Sequence, residues 1–225
     1  MNRYLPFVTV GAAALTLLAG TLLSQTMQPH RLTISGDEAV SARPPTESVH
    51  IRGNPGAAVT LEEFGDFECP TCKDLAAFLD GVIKEYHPRL RLIFRNYPLA
   101  MHHYARDAAQ AAEAAGLQGR YWEMHDMLYR EQPVWSSATN ARRLFISYAE
   151  TLGLDLDRFQ KDMQSDKVRD RLESDQARAK SLGVKIAPSL YVDKREMGTN
   201  DRTPEGVRRL IDEAVKAKSS ASEKK

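Results

Sequence analysis

Residues 59–95 carry a strand pattern, a helix pattern and a second strand pattern in direct succession. Val59, Leu61 and Phe64 mark a buried strand. Leu75, Phe78, Leu79, Val82, Ile83 and Tyr86 then recur at helical spacing until His87-Pro88, and Arg89 to Arg95 alternates as a strand. Two strands joined through a helix are expected to lie parallel, because a hairpin turn is no longer available to them. At the first junction stand the only two cysteines of the chain, as Cys69-Pro70-Thr71-Cys72. A cysteine at a helix start lies beside unpaired backbone N–H groups and the positive end of the helix dipole. Both favour the thiolate, which is the species that attacks a disulfide. The second sulfur is within reach to close an intramolecular disulfide or to resolve a mixed one.

The competing reading of a Cys-x-x-Cys pair is half of a zinc site, which needs two further ligands at suitable spacing. No second cysteine pair exists, His102 and His103 diverge on a helix, and the other histidines are scattered, so no metal is expected. With both cysteines in one motif, none is left for a structural disulfide. A formal net charge of +1 without clustered basic residues argues against a nucleic-acid partner. No cofactor is expected.

The N-terminus reads as an export element. Arg3 precedes an uncharged run from Tyr4 to Met27, and residues 4–23 are just long enough to cross a bilayer. A cleaved signal peptide and an uncleaved membrane anchor (residues 1–28) both fit, and either places the rest outside the cytoplasm. Residues 29–48 hold Pro29, Gly36, Pro44 and Pro45 without periodicity and read as a flexible linker. One domain is expected over residues 49–217. Within it, residues 100–183 are helical almost throughout, with an alanine face from Ala105 to Ala115 and with Asp155 and Asp166 as caps. Strand character returns at Ser189–Val192, followed by an Asp193-Lys194 turn and a short strand Arg195–Met197. Thr203-Pro204-Glu205 opens a terminal helix, and residues 218–225 read as a disordered tail.

Ile186-Ala187-Pro188-Ser189 places a proline directly before a strand. By itself that is a turn or edge-strand proline. The whole order, however, resembles the thioredoxin fold, and specifically the family of exported thiol:disulfide oxidoreductases related to DsbA, which carry an all-helical subdomain inserted before the proline strand. The resemblance rests on Val59 to Cys72, Phe94-Arg95-Asn96-Tyr97-Pro98-Leu99, Gln118 to Asp126 and Gly183 to Pro188, and covers nearly the whole domain.

That resemblance implies an α/β fold with a cis Ala187–Pro188 bond facing the sulfurs. It implies Cys69 as the exposed nucleophile, Cys72 as the resolving thiol, and a substrate groove shaped by Pro70, Thr71, Ala187 and Pro188. Glu63 matches an acidic residue beneath the sulfurs that passes protons to and from Cys72. Trp122, His125 and Asp126 match the family but read as packing and capping, and His102 and His103 read as local hydrogen-bond partners. Two departures concern oxidising strength. Thr71 stands where the strongest oxidants carry histidine, and Asp66 and Glu68 are expected to oppose ionisation of Cys69. The Cys69 pKa is therefore expected below that of a free thiol but above the value of about 3.5 typical of DsbA.

The expected activity is donation of the Cys69–Cys72 disulfide to exported proteins, followed by reoxidation by a membrane partner. The alternatives are a reductase or isomerase of the same fold, or a membrane-tethered module that holds unfolded clients at the Pro188 groove. With no separate dimerisation domain, a monomer is expected.

Overall fold

The computed structural model describes residues 50–222. The expected export element (1–28) and linker (29–48) lie outside the described residues. No helix among the described residues is long and apolar enough to cross a membrane.

The chain opens with β1 (His50–Gly53) and β2 (Val59–Gly65), then α1 (Pro70–Glu85) and β3 (Leu90–Asn96). Six helices follow: α2 (Ala105–Gly116), α3 (Tyr121–Arg130), α4 (Gln132–Trp135), α5 (Ala141–Thr151), α6 (Leu156–Asp162) and α7 (Asp166–Leu182). The chain then returns through β4 (Ser189–Val192) and β5 (Arg195–Glu196) to α8 (Pro204–Ser222). The sheet order is β1-β3-β2-β4-β5. The central pair, β2 and β3, is parallel, as the strand–helix–strand pattern requires, and the other pairs are antiparallel.

Alternation along the strands divides the sheet into two unlike faces. Val59, Leu61, Leu90 and Leu92 face α1 and α8, and pack on Leu79, Val82, Ile83, Val207, Leu210 and Ile211. The opposite face is charged: Arg95 donates from Nε to Glu62 at 2.9 Å and from Nη1 to Asp175 of α7 at 3.3 Å. Arg178 also donates to Glu62 at 2.9 Å, and Arg171 to Asp175 at 2.9 Å. The Arg95–Asp175 and Arg178–Glu62 pairs clamp α7 to the sheet, and the burial of Asp175 and Glu62 makes each one costly to break singly.

The helical insertion has a core of its own, built on Trp135, Phe145, Phe159, Met163 and Leu172, and Cys69, Cys72, Phe67 and Phe94 belong to the same cluster. The thiols therefore sit where the insertion meets the sheet. Close approach at that seam requires a glycine at position 65, since a Cβ there would lie 2.5 Å from the Phe94 ring and 3.1 Å from the Tyr129 hydroxyl.

Four details differ from the sequence reading. Strand β1 was not expected, because four residues ending in glycine give too little alternation to register. The single turn α4 was also hidden, since Pro133 reads as a breaker but sits in the first turn of that helix. The cap of α7 is Ser165, whose hydroxyl accepts from Val168 N, and Asp166 is the first helical residue. Finally, α8 runs past Ala217 to Ser222, so only residues 223–225 of the expected tail lie outside the described region.

Candidate active site

Cys69 caps α1 in an extended conformation and Pro70 occupies the first turn, where a missing N–H costs nothing. Cys69 is 7% exposed and Cys72, one turn in, is fully buried, with both thiols free. Pro70 and Thr71 are exposed beside them. The Thr71 hydroxyl lies 3.0 Å from Cys69 Sγ, and the Ala187 carbonyl accepts from that thiol at 3.6 Å. The Ala187–Pro188 peptide is cis, as the resemblance implied. Cys69, Cys72, Thr71 and Ala187 are thus brought together, with Pro188 next in the chain and its carbonyl held by Arg202 Nη1 at 3.0 Å.

The two thiols are driven in opposite directions. Cys69 is lowered to about 5, first by a hydrogen bond from Cys72, then by the Thr71 hydroxyl and the N–H groups of Cys72 and Thr71, against the opposing effect of burial. Its value lies inside the window expected from sequence. Cys72 is pushed far up by that same hydrogen bond, by burial and by the neighbouring Glu63 carboxyl, against one weak donor, Asp66 N at 3.5 Å. One sulfur therefore holds a negative charge that the other helps to stabilise.

The expected effect of Asp66 and Glu68 on Cys69 is not what the structure shows. Asp66 Oδ2 accepts from Leu99 N at 2.7 Å and bonds His102 Nδ1 at 2.8 Å, while Oδ1 accepts from Glu68 N at 2.7 Å. The Glu68 carboxylate accepts from Tyr104 N at 2.5 Å. Both carboxylates are spent on holding residues 99–104 against the β2–α1 loop. Neither is among the five largest influences on the Cys69 thiol. His102 is joined to the site through Asp66, and His103 packs edge-on against Tyr104. The sequence reading missed Gln132, whose Nε2 donates to the carbonyls of Phe67 at 2.6 Å and Cys69 at 3.0 Å. A glutamine next to Pro133 gave no signal of that contact.

Beneath the thiols, Glu63 is 1% exposed. Burial raises its carboxyl to about 8 against the pull of Arg52, and Oε1 has no hydrogen-bond partner. His125 is also buried, with Phe67, Phe94, Trp122 and Tyr129 around its ring, and burial lowers its pKa. Its Nδ1 lies 2.8 Å from Asp126 Oδ1, and Arg52 grips that carboxylate through two 2.7 Å contacts. Trp122 packs as the sequence suggested, with the Arg52 guanidinium 4.2 Å above its ring. No cluster of three or more metal-ligating side chains occurs among the described residues.

A polarised thiol pair at the start of a helix, on a sheet of this order and beside a proline strand, defines a thiol:disulfide oxidoreductase. The sequence model of a protein family described as thioredoxin matches residues 45–213, and the chain belongs to that family. A thioredoxin-like oxidoreductase from Silicibacter pomeroyi is 28% identical, with a TM-score of 0.58 over 72% of this chain and 91% of that one. The fold is also that of alpha-DsbA1 from Wolbachia pipientis, at 19% identity and a TM-score of 0.68 over 79% of this chain and 96% of that one. BdbD from Bacillus subtilis is similar at 21% identity and a TM-score of 0.65, covering 74% and 92% of the two chains. In sequence, the chain is 38% identical over 161 residues to the Na(+)/H(+) antiporter NhaA 1 of Mycolicibacterium gilvum, a match that covers 69% of this chain. The chain spans about a quarter of the length of that relative (25%).

Proposed function

We propose that this enzyme donates the Cys69–Cys72 disulfide to the thiols of exported proteins, outside the cytoplasm, as a monomer that a membrane redox partner reoxidises. The observation that carries this direction is the opposed polarisation of the two sulfurs above Glu63. In donation, a client thiolate attacks Cys69 Sγ and Cys72 departs. Cys72 is a poor leaving group as a naked thiolate, and Glu63, holding its proton at neutral pH, protonates it as it leaves. The second client thiol then attacks the client sulfur of the mixed disulfide and expels Cys69, whose stabilised thiolate leaves readily. Stabilising that thiolate favours the reduced enzyme and so makes the disulfide a stronger oxidant.

Pro70, Thr71, Ala187 and Pro188 line the groove in this reading, and the Ala187 backbone pairs with an extended client segment by strand addition. The antiporter names belong to proteins of which this chain spans about a quarter, and the segment in common is read as a redox module, with no ion transport assigned to it. The test is oxidative refolding of a reduced, unfolded disulfide protein by the oxidised enzyme in vitro, with thiol trapping of Cys69 and Cys72 in cells. Stoichiometric disulfide transfer and a mainly oxidised pair in vivo are expected. A pair held reduced in cells would favour the reductase or isomerase instead. Protease accessibility of the domain in intact spheroplasts tests the location.

A further inference from the structure

We propose that His125 carries protons between the buried Glu63 carboxyl and Asp126 at the surface, acting on Cys72 through Glu63. The inference rests on the proton-carrier role given to Glu63 above and adds the route by which that proton meets solvent.

Two of the buried polar atoms that lack a partner are Glu63 Oε1 and His125 Nε2. A buried polar atom left unpaired is uncommon and expensive, so two in one region require an explanation. Their chemistry is complementary. Asp126 is a carboxylate, held below its ordinary value by His125 and Arg52 despite its own burial. The His125 nitrogen facing it, Nδ1, therefore carries the hydrogen, which leaves Nε2 as a bare acceptor. Glu63 at neutral pH is a carboxylic acid and has an O–H to give.

Placement joins the two groups. Glu63 is paired with Phe94 on the neighbouring strand, so their side chains share the face of the sheet on which α3 packs. The Phe94 ring meets the His125 ring edge-on at 4.8 Å. Since Nδ1 is tethered outward to the half-exposed Asp126, Nε2 on the far side of the ring is turned inward. Tyr129, 5.0 Å from the His125 ring, feels the charges of both Cys72 and Glu63, and Tyr121, whose hydroxyl is a third unpaired buried group, feels Glu63. The charged and titratable groups around His125 are Asp126, Tyr121 and Tyr129 on α3 and His50 and Arg52 on β1, while Glu63 acts on both tyrosines and Cys72 on Tyr129.

The proton balance closes in both directions. When the reduced enzyme attacks a disulfide of its reoxidising partner, Cys69 forms the mixed disulfide and Cys72 must ionise. Glu63 gives its proton to Nε2 as Nδ1–H gives one to Asp126 or to water there, and the Glu63 carboxylate takes the Cys72 proton. Cys72 then bonds Cys69, and the partner's thiolate departs. Donation to a client runs the same transfers backwards.

Nitrogen NMR of the reduced enzyme, together with steady-state turnover using glutathione disulfide as oxidant and a dithiol peptide as client, tests the route. In the wild type the Nε2 resonance should shift with an inflection near pH 8, where Glu63 titrates, and Glu63→Gln should abolish it. His125→Phe keeps an aromatic ring in the cage and removes both nitrogens. Its turnover at neutral pH should fall on the order of tenfold, below the usual range for direct acid–base catalysis, while its equilibrium potential with glutathione stays at the wild-type value. Wild-type turnover in His125→Phe, or an Nε2 resonance blind to Glu63, overturns the relay. Slow Glu63→Gln with fast His125→Phe would sink the relay alone, whereas fast Glu63→Gln would sink the carrier role beneath it.

Discussion

Thr71→Val tests the electrostatics of the site with the least disturbance to its shape. Thr71 is exposed and the two side chains are nearly the same size, so the change removes one hydroxyl and little packing. That hydroxyl lies 3.0 Å from Cys69 Sγ and ranks second among the side-chain hydrogen bonds that lower the thiol. A hydrogen bond to a charged group is worth about 1.5–3 kcal/mol. At about 1.4 kcal/mol per pKa unit, its loss raises the Cys69 pKa by about 1–2 units. Starting from about 5, the variant should titrate near 6–7. At neutral pH the wild-type reduced enzyme holds the thiolate, and the disulfide form gains little from the hydroxyl, so the full loss falls on the reduced state. A change of about 1.4 kcal/mol corresponds to about 30 mV for this couple, so the potential should become more reducing by about 30–60 mV. Ultraviolet titration of the thiolate and equilibration with glutathione buffers measure the two quantities independently. A thiol still near 5, or an unchanged potential, would refute the assignment of Thr71 as a thiolate donor, and a pKa shift without a matching potential shift would refute the linkage. Thr71→His should move both quantities the other way.

Cys72→Ala should accumulate mixed disulfides through Cys69, visible on gels without reductant and absent in the double variant, and should raise the Cys69 pKa because the largest stabilising hydrogen bond is lost. Glu63→Gln should alter stability in a pH-dependent way. The folded carboxyl titrates near 8 against an ordinary value of 4.5, so the wild type loses stability as pH rises through that window. The variant should lack that slope and gain on the order of a few kcal/mol over wild type near pH 8 relative to pH 5, read from urea midpoints; parallel curves would count against a buried, protonated Glu63. Asp175→Ala should cost about 3–5 kcal/mol by the same measurement, because it withdraws a carboxylate from the buried guanidinium groups of Arg95 and Arg171.

The parts of the fold legible in sequence were those where one physical signal dominates. Helical spacing from Leu75 to Tyr86 and alternation from Arg89 to Arg95 located the central parallel pair to within a residue or two. The cysteines were legible because their position on the helix follows from chain order. What escaped was set by contacts distant in sequence. Asp66 and Glu68 looked like charges next to a thiol, but Leu99, His102 and Tyr104, about thirty-five residues on, claim both carboxylates (separations of 33 and 36 residues). His125 packs against Phe67, Phe94, Trp122 and Tyr129, as its sequence reading had it, but those partners on distant elements were not legible. Arg52 lies on the strand that was missed, and with it went the partner of Asp126.

The difference between the two thiols is best understood as a difference of depth along one helix. Cys69 stands at the cap and receives the hydroxyl of Thr71 and the backbone N–H groups of Thr71 and Cys72. Cys72, three residues on, is inside the helix, and its sulfur meets one backbone donor, the Cys69 thiolate and a buried acid. A charge on Cys72 would therefore be stabilised by little, and a proton must reach it whenever the disulfide opens. The insertion serves this arrangement directly. Helix α3 brings the Tyr129 hydroxyl to the Asp66 carbonyl and the His125 ring against Phe94, and α4 brings Gln132 to the Phe67 and Cys69 carbonyls. Weakening the insertion should thus raise the exposure of Glu63 and lower its pKa toward the ordinary range before it unfolds the sheet. Trp135→Ala, in the core of the insertion, offers that perturbation. Infrared titration of the Glu63 carboxyl should show its pKa falling from about 8, while hydrogen exchange at β2 and β3 stays slow. Loss of protection in β2 and β3 together with the insertion would instead mean that the two cores unfold as one unit, and the insertion would have no separate hold on the acid.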